Sequence, residues 1–104
     1  MNRKDLAIAR SFKQLVQQRI QPLSVRVFGS RARGDAAVDS DLDLFVVVEQ
    51  TTIDIERYIS DCAWETGFAQ DVVVVPVVVA KDRIDGALKE SVFIRNVYRE
   101  GIEV

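Results

Sequence analysis

The sequence contains no histidine, and its 104 residues include a single cysteine, Cys62. Without histidine, this chain alone cannot build a Ser-His-Asp triad, a Cys-His pair or a histidine-ligated zinc site. Proton transfer would therefore fall to carboxylates, lysine, tyrosine or solvent. A single cysteine cannot form an internal disulfide, which is typical of proteins from a reducing compartment.

Long apolar runs and a large excess of either charge are also missing. No stretch approaches the roughly 18 apolar residues of a membrane span. The first residues also lack a signal-peptide pattern, so we expect a cytoplasmic protein that does not engage a membrane. The 14 basic and 16 acidic side chains give a formal charge of −2. Dedicated nucleic-acid binding usually requires a strongly positive field, so we expect no direct nucleic-acid binding.

The remaining composition is that of one globular domain. With 48% hydrophobic and 29% charged residues, a chain of this length can bury roughly two-thirds of its unfolded surface. No linker, repeat or low-complexity stretch divides the sequence. We therefore expect residues 1–104 to form a single domain.

Apolar spacing predicts alternating helices and strands. Steps of three and four residues indicate amphipathic helices, whereas alternation or a run of β-branched residues indicates a strand. In chain order, the predicted segments are a helix over 3–20, a strand over 23–28, a short helical turn within 29–40, a strand over 41–48, a helix over 55–67, a strand over 71–79 and a final helix over 82–100.

This order predicts an α/β fold in which a small, mixed three-stranded sheet is flanked by helices. The helix between the second and third strands has the length of a parallel crossover, and the first strand should run antiparallel to the second. Such a topology brings five residues to one edge of the sheet: Gly29, Ser30, Asp41, Asp43 and Asp71.

Pro76 interrupts the β-branched segment "DVVVVPVVV". Because proline has no backbone N–H to donate, we expect this strand to lie at the edge of the sheet or to break near the proline. The part from Val72 to Val75 should be securely paired. The continuous apolar composition predicts that the strand is buried on both faces.

Asp41 and Asp43 lie two residues apart in a predicted strand, so their side chains share one face while Leu42 and Leu44 point to the other. Asp71, expected at the start of the neighbouring strand, could supply a third carboxylate. Three ionised carboxylates would raise one another's pKa values unless they bound a cation, and oxygen ligands suit Mg²⁺. The alternative is a polar strand entrance that faces water, with Asp71 merely capping the third strand.

Gly29 and Ser30 precede the acidic pair in a turn that suits a phosphate group. Glycine lets a phosphate approach the backbone, Ser30 can cap a helical turn that begins at Arg31, and free N–H groups at a helix start attract anions. Arg31 and Arg33 add charge-assisted donors, although both could equally belong to a solvated surface. Together with the carboxylates, these residues describe a site for a metal-chelated triphosphate.

The segment "GSRARGDAAVDSDLDLFVV" (29–47) resembles the signature of the nucleotidyltransferase fold of the DNA polymerase β superfamily, in which Gly-Ser is followed, after ten residues, by Asp-x-Asp. It is especially similar to the minimal, stand-alone members called MNT proteins. At average residue frequencies, such a match would arise by chance roughly once in a thousand chains of this length. The resemblance extends to Asp71 and to the predicted order of elements, so it covers nearly the whole chain.

The resemblance implies a role for each residue of the motif. Gly29 and Ser30 would hold the nucleotide phosphates, and Asp41 and Asp43 would ligate two Mg²⁺ ions. Asp71 would ligate the catalytic metal and help to deprotonate the acceptor hydroxyl. The nucleotide substrate would be ATP.

The resemblance also implies a partner. MNT proteins are commonly paired with HEPN proteins, often RNases, and some act as antitoxins that transfer AMP from ATP to a tyrosine of that partner. We therefore expect a hetero-oligomer with a HEPN toxin, with Arg31 and Arg33 as further phosphate contacts. Two alternatives stay open. One is a non-catalytic binding module that inhibits its partner by complex formation, and the other is nucleotide transfer to a small molecule with a partner chain completing the site.

Overall fold

A computed structural model describes residues 1–37 and 39–104, and Val38, in the predicted connection between the first two strands, lies outside the described residues. Within the described part, helices and strands follow one another along the chain. They are α1 (Arg3–Val16), β1 (Ser24–Phe28), α2 (Ser30–Arg33), β2 (Leu42–Val48), α3 (Ile53–Gln70), β3 (Val74–Ala80), α4 (Lys81–Asp85), α5 (Val92–Glu100) and β4 (Ile102–Glu103).

The strands form one mixed sheet in the order β3-β2-β1-β4. β1 runs antiparallel to β2, and β2 runs parallel to β3, which confirms both predicted pairings. The prediction of three strands is wrong, because β4 pairs antiparallel with β1 at Arg26 and Val27. The Val104 N–H extends this pairing by donating to the Val25 carbonyl at 3.0 Å. A two-residue strand is too short for sequence alternation to reveal.

The two long helices differ from their predicted bounds at their ends. α1 begins where the Asn2 side chain accepts the backbone N–H of Asp5, and it ends at Val16 rather than at residue 20. α3 continues three residues beyond its predicted end at Gly67. This glycine does not end the helix but allows close packing, since a Cβ there would overlap the Val72 carbonyl oxygen. None of the helices in the two described ranges combines the length and the apolar composition that a bilayer crossing needs.

The third strand begins later than predicted. β3 starts at Val74, three residues after Asp71, which instead caps the C-terminus of α3 with a left-handed backbone (φ 56°, ψ 42°). Pro76 lies opposite Leu44 on the outermost strand, as expected for a residue without an N–H. The predicted burial on both faces is wrong, because Val75 and the four residues after it are only partly buried in this edge strand.

The predicted final helix is two helices. α4 ends at Asp85 and α5 begins at Val92, with a turn at Gly86 between them. Ile84 and Leu88 both pack against the sheet. The four-residue apolar spacing that predicted one helix therefore comes from a short helix followed by a turn.

Helices cover both faces of the sheet. On one face, α1 and α3 enclose a large apolar cluster that includes Phe12, Leu44 and Ile59. A smaller cluster lies on the opposite face under α5. It consists of Phe45, Val47, Ile94 and Val97. Because side chains alternate along a strand, Asp43 lies on the face of this smaller cluster, at the beginning of β2.

Replacing Phe45 with alanine tests whether the smaller cluster is part of the stabilising core. Phe45 is fully buried and meets the rings of Phe28, Phe93 and Tyr98 in edge-to-face geometry. Phe45→Ala should therefore lower the free energy of unfolding by about 3–5 kcal/mol, measured by urea denaturation. Phe93→Ala, which removes a half-exposed ring from the same group, should cost much less. Equal losses would contradict this description of the core.

Candidate active site

The turn after β1 has the geometry expected of a phosphate-binding turn. Gly29 has φ 75° and ψ −157°, a backbone conformation that favours glycine, and α2 starts directly after it at Ser30. The Gly29 carbonyl accepts the N–H of Arg33 at 3.1 Å, and the Ser30 carbonyl accepts that of Gly34 at 3.0 Å. The N–H groups at the start of a helical turn point away from its own carbonyls, a geometry that attracts anions.

Gly29 also touches the acidic pair. Phe28 and Asp43 are directly opposite each other in the β1–β2 register. A Cβ placed on Gly29 would lie 2.6 Å from Asp43 Oδ2, so a larger residue would displace the carboxylate. The glycine turn and the Asp43 carboxylate are therefore close neighbours.

Asp41 and Asp43 differ in their surroundings. Asp41 is exposed just before β2, and Asp43 is half-buried as the second residue of the strand. Leu42 and Leu44 pack into the large cluster on the other face. Burial raises the pKa of Asp43, the nearby negative charge of Asp41 raises it further, and the positive charge of Arg31 opposes both.

These two carboxylates are suited to magnesium. In proteins, Mg²⁺ is usually held by one or two carboxylates together with substrate phosphates and water. Burial is the main cause of the raised pKa of Asp43, and the nearby negative charge of Asp41 adds to it; a bound cation would offset this second contribution. Among residues 1–37 and 39–104, no three acidic, histidine or cysteine side chains lie close enough to hold a metal. Asp41 and Asp43 would therefore be the protein ligands, with phosphate oxygens completing the shell.

Asp71 lies at the end of α3 rather than at the start of the third strand. It caps α3 and is exposed, and it belongs to the rim of a groove that also includes Trp64 and Phe68. The expectation that it opens the third strand is wrong. The segment that runs beside the acidic pair in the sheet carries valines instead. The Val73 carbonyl accepts the N–H of Leu42, and Val75 lies opposite Asp43. Its role as a third metal ligand stays a prediction.

The two arginines of the motif have different surroundings. Arg33 is exposed, and its guanidinium lies 3.3 Å from Asp35 and 3.5 Å from Glu100. Arg31 is enclosed and forms an ion pair with Asp5 at 2.7 Å. That Arg31 and Arg33 contact phosphate stays a prediction, and the side chain of Arg33 is the more exposed of the two.

Sequence reasoning missed a groove beside the glycine turn. It has a volume of about 240 Å³ and lies between Gly29 and one side of α5, from Phe93 to Glu100. Phe28 and Phe93 form an aromatic pair there, with ring centroids 5.5 Å apart, and Asn96 lies on the same rim. No signal in the sequence separates Phe93 from an ordinary core residue. Its partial exposure depends on the fact that α5 begins at Val92, and the apolar spacing did not reveal that helix start.

A second group of exposed apolar side chains lies on α3. Trp64 and Phe68 are 73% and 77% exposed, with ring centroids 5.9 Å apart. Val73, also exposed, belongs to the same groove of about 410 Å³. We call Trp64, Phe68 and Val73 the aromatic patch. It adjoins the acidic pair through the hydrogen bond between Val73 and Leu42.

Comparisons with known proteins agree with this geometry. A chain of a toxin-antitoxin complex crystallised with AMP-PNP has 22% identity and a TM-score of 0.64, covering 99% of this chain and 72% of that one. A mutant of the toxin-antitoxin complex MntA-HpeT gives 20% identity, the same TM-score of 0.64 and the same coverage of 99% and 72%. A candidate nucleotidyltransferase from Sulfolobus solfataricus has 21% identity and a TM-score of 0.58, covering 96% of this chain and 78% of that one. At these identities, the likeness shows a shared fold.

Sequence comparison gives the family. No curated protein matches the chain. The family described as "Nucleotidyltransferase domain", however, matches residues 8–101, nearly the whole length. This match confirms the resemblance carried by the Gly-Ser and Asp-x-Asp motif, and the chain therefore belongs to the nucleotidyltransferase domain family.

Proposed function

We propose that this protein is a Mg²⁺-dependent nucleotidyltransferase that transfers AMP from ATP to a hydroxyl group, a tyrosine, of a partner protein. In this proposal it acts in the cytoplasm as the antitoxin of a HEPN toxin. The observation that carries the proposal is the contact between the Gly29 turn and Asp43, because it joins an anion-binding backbone to a pair of metal-binding carboxylates. The toxin-antitoxin complexes that share its fold, one of them crystallised with AMP-PNP, support the choice of nucleotide and partner.

The residues of the site divide the work between them. Asp41 and Asp43 hold the metal, and the N–H groups at the start of α2 bind the triphosphate with help from the Ser30 hydroxyl and the Arg33 guanidinium. A bound Mg²⁺ would neutralise phosphate charge and favour departure of pyrophosphate. The half-buried position of Asp43 strengthens these electrostatic interactions relative to those in bulk water.

The transfer step balances without any further reactant. The tyrosine oxygen attacks the α-phosphorus of ATP and forms the new phosphate ester, while the bond from that phosphorus to the bridging oxygen breaks and pyrophosphate leaves. The phenolic proton passes to a carboxylate or to solvent, since the chain has no histidine. The resemblance assigns this proton to Asp71, which is exposed and would have to approach the acidic pair.

We place the nucleoside in the groove beside Gly29. The groove opens next to the turn that binds the phosphates, and the half-exposed Phe93 offers a ring on which a base can stack. Asn96 carries both a donor and an acceptor, the groups needed to read a base edge or a ribose hydroxyl. The triphosphate and the base would then lie on the same face of the sheet as Asp43.

A second candidate function is inhibition by complex formation alone. Two observations favour it: Asp71 does not join the acidic pair, and the aromatic patch leaves Trp64 and Phe68 open for contact with another protein. In that case the nucleotide site would be retained without catalysis. The two functions predict opposite results in the following experiment.

Intact-mass spectrometry of the HEPN partner tests AMP transfer. After incubation with the wild-type protein, ATP and Mg²⁺, we expect the partner to gain mass in units of one AMP. The Asp41→Asn/Asp43→Asn double variant should give no gain, because it removes both metal ligands. Asp71→Asn tests the role assigned to that residue. A stable complex with no mass gain from either protein would favour inhibition by binding alone.

The pKa of Asp43 predicts that its charge destabilises the metal-free fold. Because the pKa is raised on folding, the folded state binds the proton more tightly. Stability is therefore greatest below the unfolded-state pKa of about 4 and falls as the pH rises through the folded value. At pH 7 without divalent ions, Asp43→Asn should unfold at a higher temperature than wild type.

Added Mg²⁺ and ATP should reverse that order by stabilising wild type and leaving Asp43→Asn unchanged. Asp82→Asn, an exposed change on α4, is the matched control and should show neither effect. Thermal unfolding from pH 4 to 8 measures all three proteins. A lower unfolding temperature for metal-free Asp43→Asn would contradict the electrostatic argument.

Phe93→Ala tests the placement of the nucleoside. Stacking of a base on an aromatic ring contributes about 1–3 kcal/mol, so the variant should bind Mg-ATP several-fold to about 100-fold more weakly. Its affinity for Mg-tripolyphosphate, which has no base, should not change. Val92→Ala, the exposed neighbour on α5, should behave as wild type. Calorimetry with both ligands separates the cases, and equal loss for both would place the nucleoside elsewhere.

A further inference from the structure

Arg31 is an enclosed charged side chain beside the acidic pair. Its side chain is 10% exposed, and that of its ion-pair partner Asp5 is 4% exposed. A buried ion pair often adds little to stability, because the free energy lost on removing both charges from water can exceed the gain from their attraction. Such a pair is therefore a candidate for a role other than stability. The contacts of Arg31 indicate what this role is.

The guanidinium joins three segments that are distant in sequence. Its Nη1 donates to Asp5 Oδ1 at 2.7 Å, in the first turn of α1. Its Nε donates to the Ser40 carbonyl at 3.0 Å, and Nη2 donates to the same oxygen. Arg31 itself lies in α2, the helical turn that follows Gly29. One planar group therefore connects α1 and α2 to the residue that directly precedes Asp41.

Both ends of this connection are firmly held. Asp5 lies in the first turn of α1, where its own N–H donates to the Asn2 side chain at 2.7 Å. The Ser40 N–H and hydroxyl both donate to the Ala37 carbonyl, at 3.1 and 2.9 Å. The Ser40 carbonyl is thus fixed relative to the helices just before the chain enters β2.

We propose that Arg31 and Asp5 are positioning residues, which hold the backbone at Ser40 so that Asp41 and Asp43 are presented to the metal and the triphosphate. This inference rests on the proposed function, since it concerns the same site. Asp5 lies outside the motif, and Arg31 acts through the Ser40 carbonyl. The fork geometry of the guanidinium is required, because a lysine ammonium is a single point and cannot span Asp5 and Ser40 in the same way.

Three variants separate positioning from a direct phosphate contact. Asp5→Asn keeps the positive charge of Arg31 and removes only the ion pair. Arg31→Lys keeps the charge and removes the fork. The double variant Asp5→Leu/Arg31→Met replaces the buried pair with apolar groups, a change that is often neutral for stability. The matched control is Arg26→Met/Glu103→Leu, which removes an arginine–carboxylate pair, 3.3 Å long, that joins β1 to β4.

The readout is binding of Mn²⁺ in the presence of ATP, followed by electron paramagnetic resonance, with urea unfolding measured in parallel. Residues that orient metal ligands typically change metal affinity by about 10-fold to 100-fold. We expect a loss of that size in Asp5→Asn, Arg31→Lys and the double variant, with unfolding free energy close to wild type in the double variant. The control pair should leave Mn²⁺ affinity unchanged.

The alternatives give different patterns. If Asp5→Asn binds Mn²⁺ and ATP as well as wild type while Arg31→Lys binds them weakly, Arg31 contacts phosphate and the inference is overturned. If all variants bind normally, the pair is only structural and the inference also fails. Should the double variant not fold, Asp5→Asn and Arg31→Lys still decide between these cases. If wild type binds neither Mn²⁺ nor ATP, the proposed function itself fails, and positioning of that site fails with it.

Discussion

The antiparallel register of β1 and β2 is the constraint on which the site depends. It sets Phe28 opposite Asp43, and as a result Gly29, the next residue, lies against the Asp43 carboxylate. A shift of one residue would turn Asp43 toward the large apolar cluster and bring Leu42 or Leu44 to the surface. The buried side chains of the large cluster therefore fix the position of the acidic pair on the opposite face.

The acidic pair lies near one enclosed cation, the Arg31 guanidinium, and its negative charge would favour a second cation. Burial raises the pKa of Asp43, and repulsion from the nearby Asp41 raises it further. The positive charge of Arg31 offsets part of this effect, but its guanidinium is bonded to Asp5 and to the Ser40 carbonyl. The remaining negative charge faces the start of α2, where backbone N–H groups attract anions. A divalent cation with a triphosphate would satisfy both groups at once, as the proposed function requires.

The sequence predicted the features that depend on short-range patterns. Apolar alternation located β1 and β2, and the Gly-Ser and Asp-x-Asp spacing identified the candidate site before any geometry was known. What it missed depends on tertiary contacts. Gly67 suggested a helix end but allows close approach of the Val72 carbonyl, so α3 runs on and draws Asp71 into its cap. β4 consists of two residues, too few for a pattern. The enclosure of Arg31 depends on Asp5, which lies 26 positions earlier in the chain.

The most direct test of this account is calorimetric titration of ATP into the wild-type protein and into the Asp41→Asn/Asp43→Asn double variant, each with and without Mg²⁺. If the glycine turn and the acidic pair form one site, wild type will bind ATP strongly only when Mg²⁺ is present, and the folded double variant will lose this dependence. If wild type binds ATP equally well without Mg²⁺, or if the double variant binds Mg-ATP as tightly as wild type, the two features do not act together and the account is wrong.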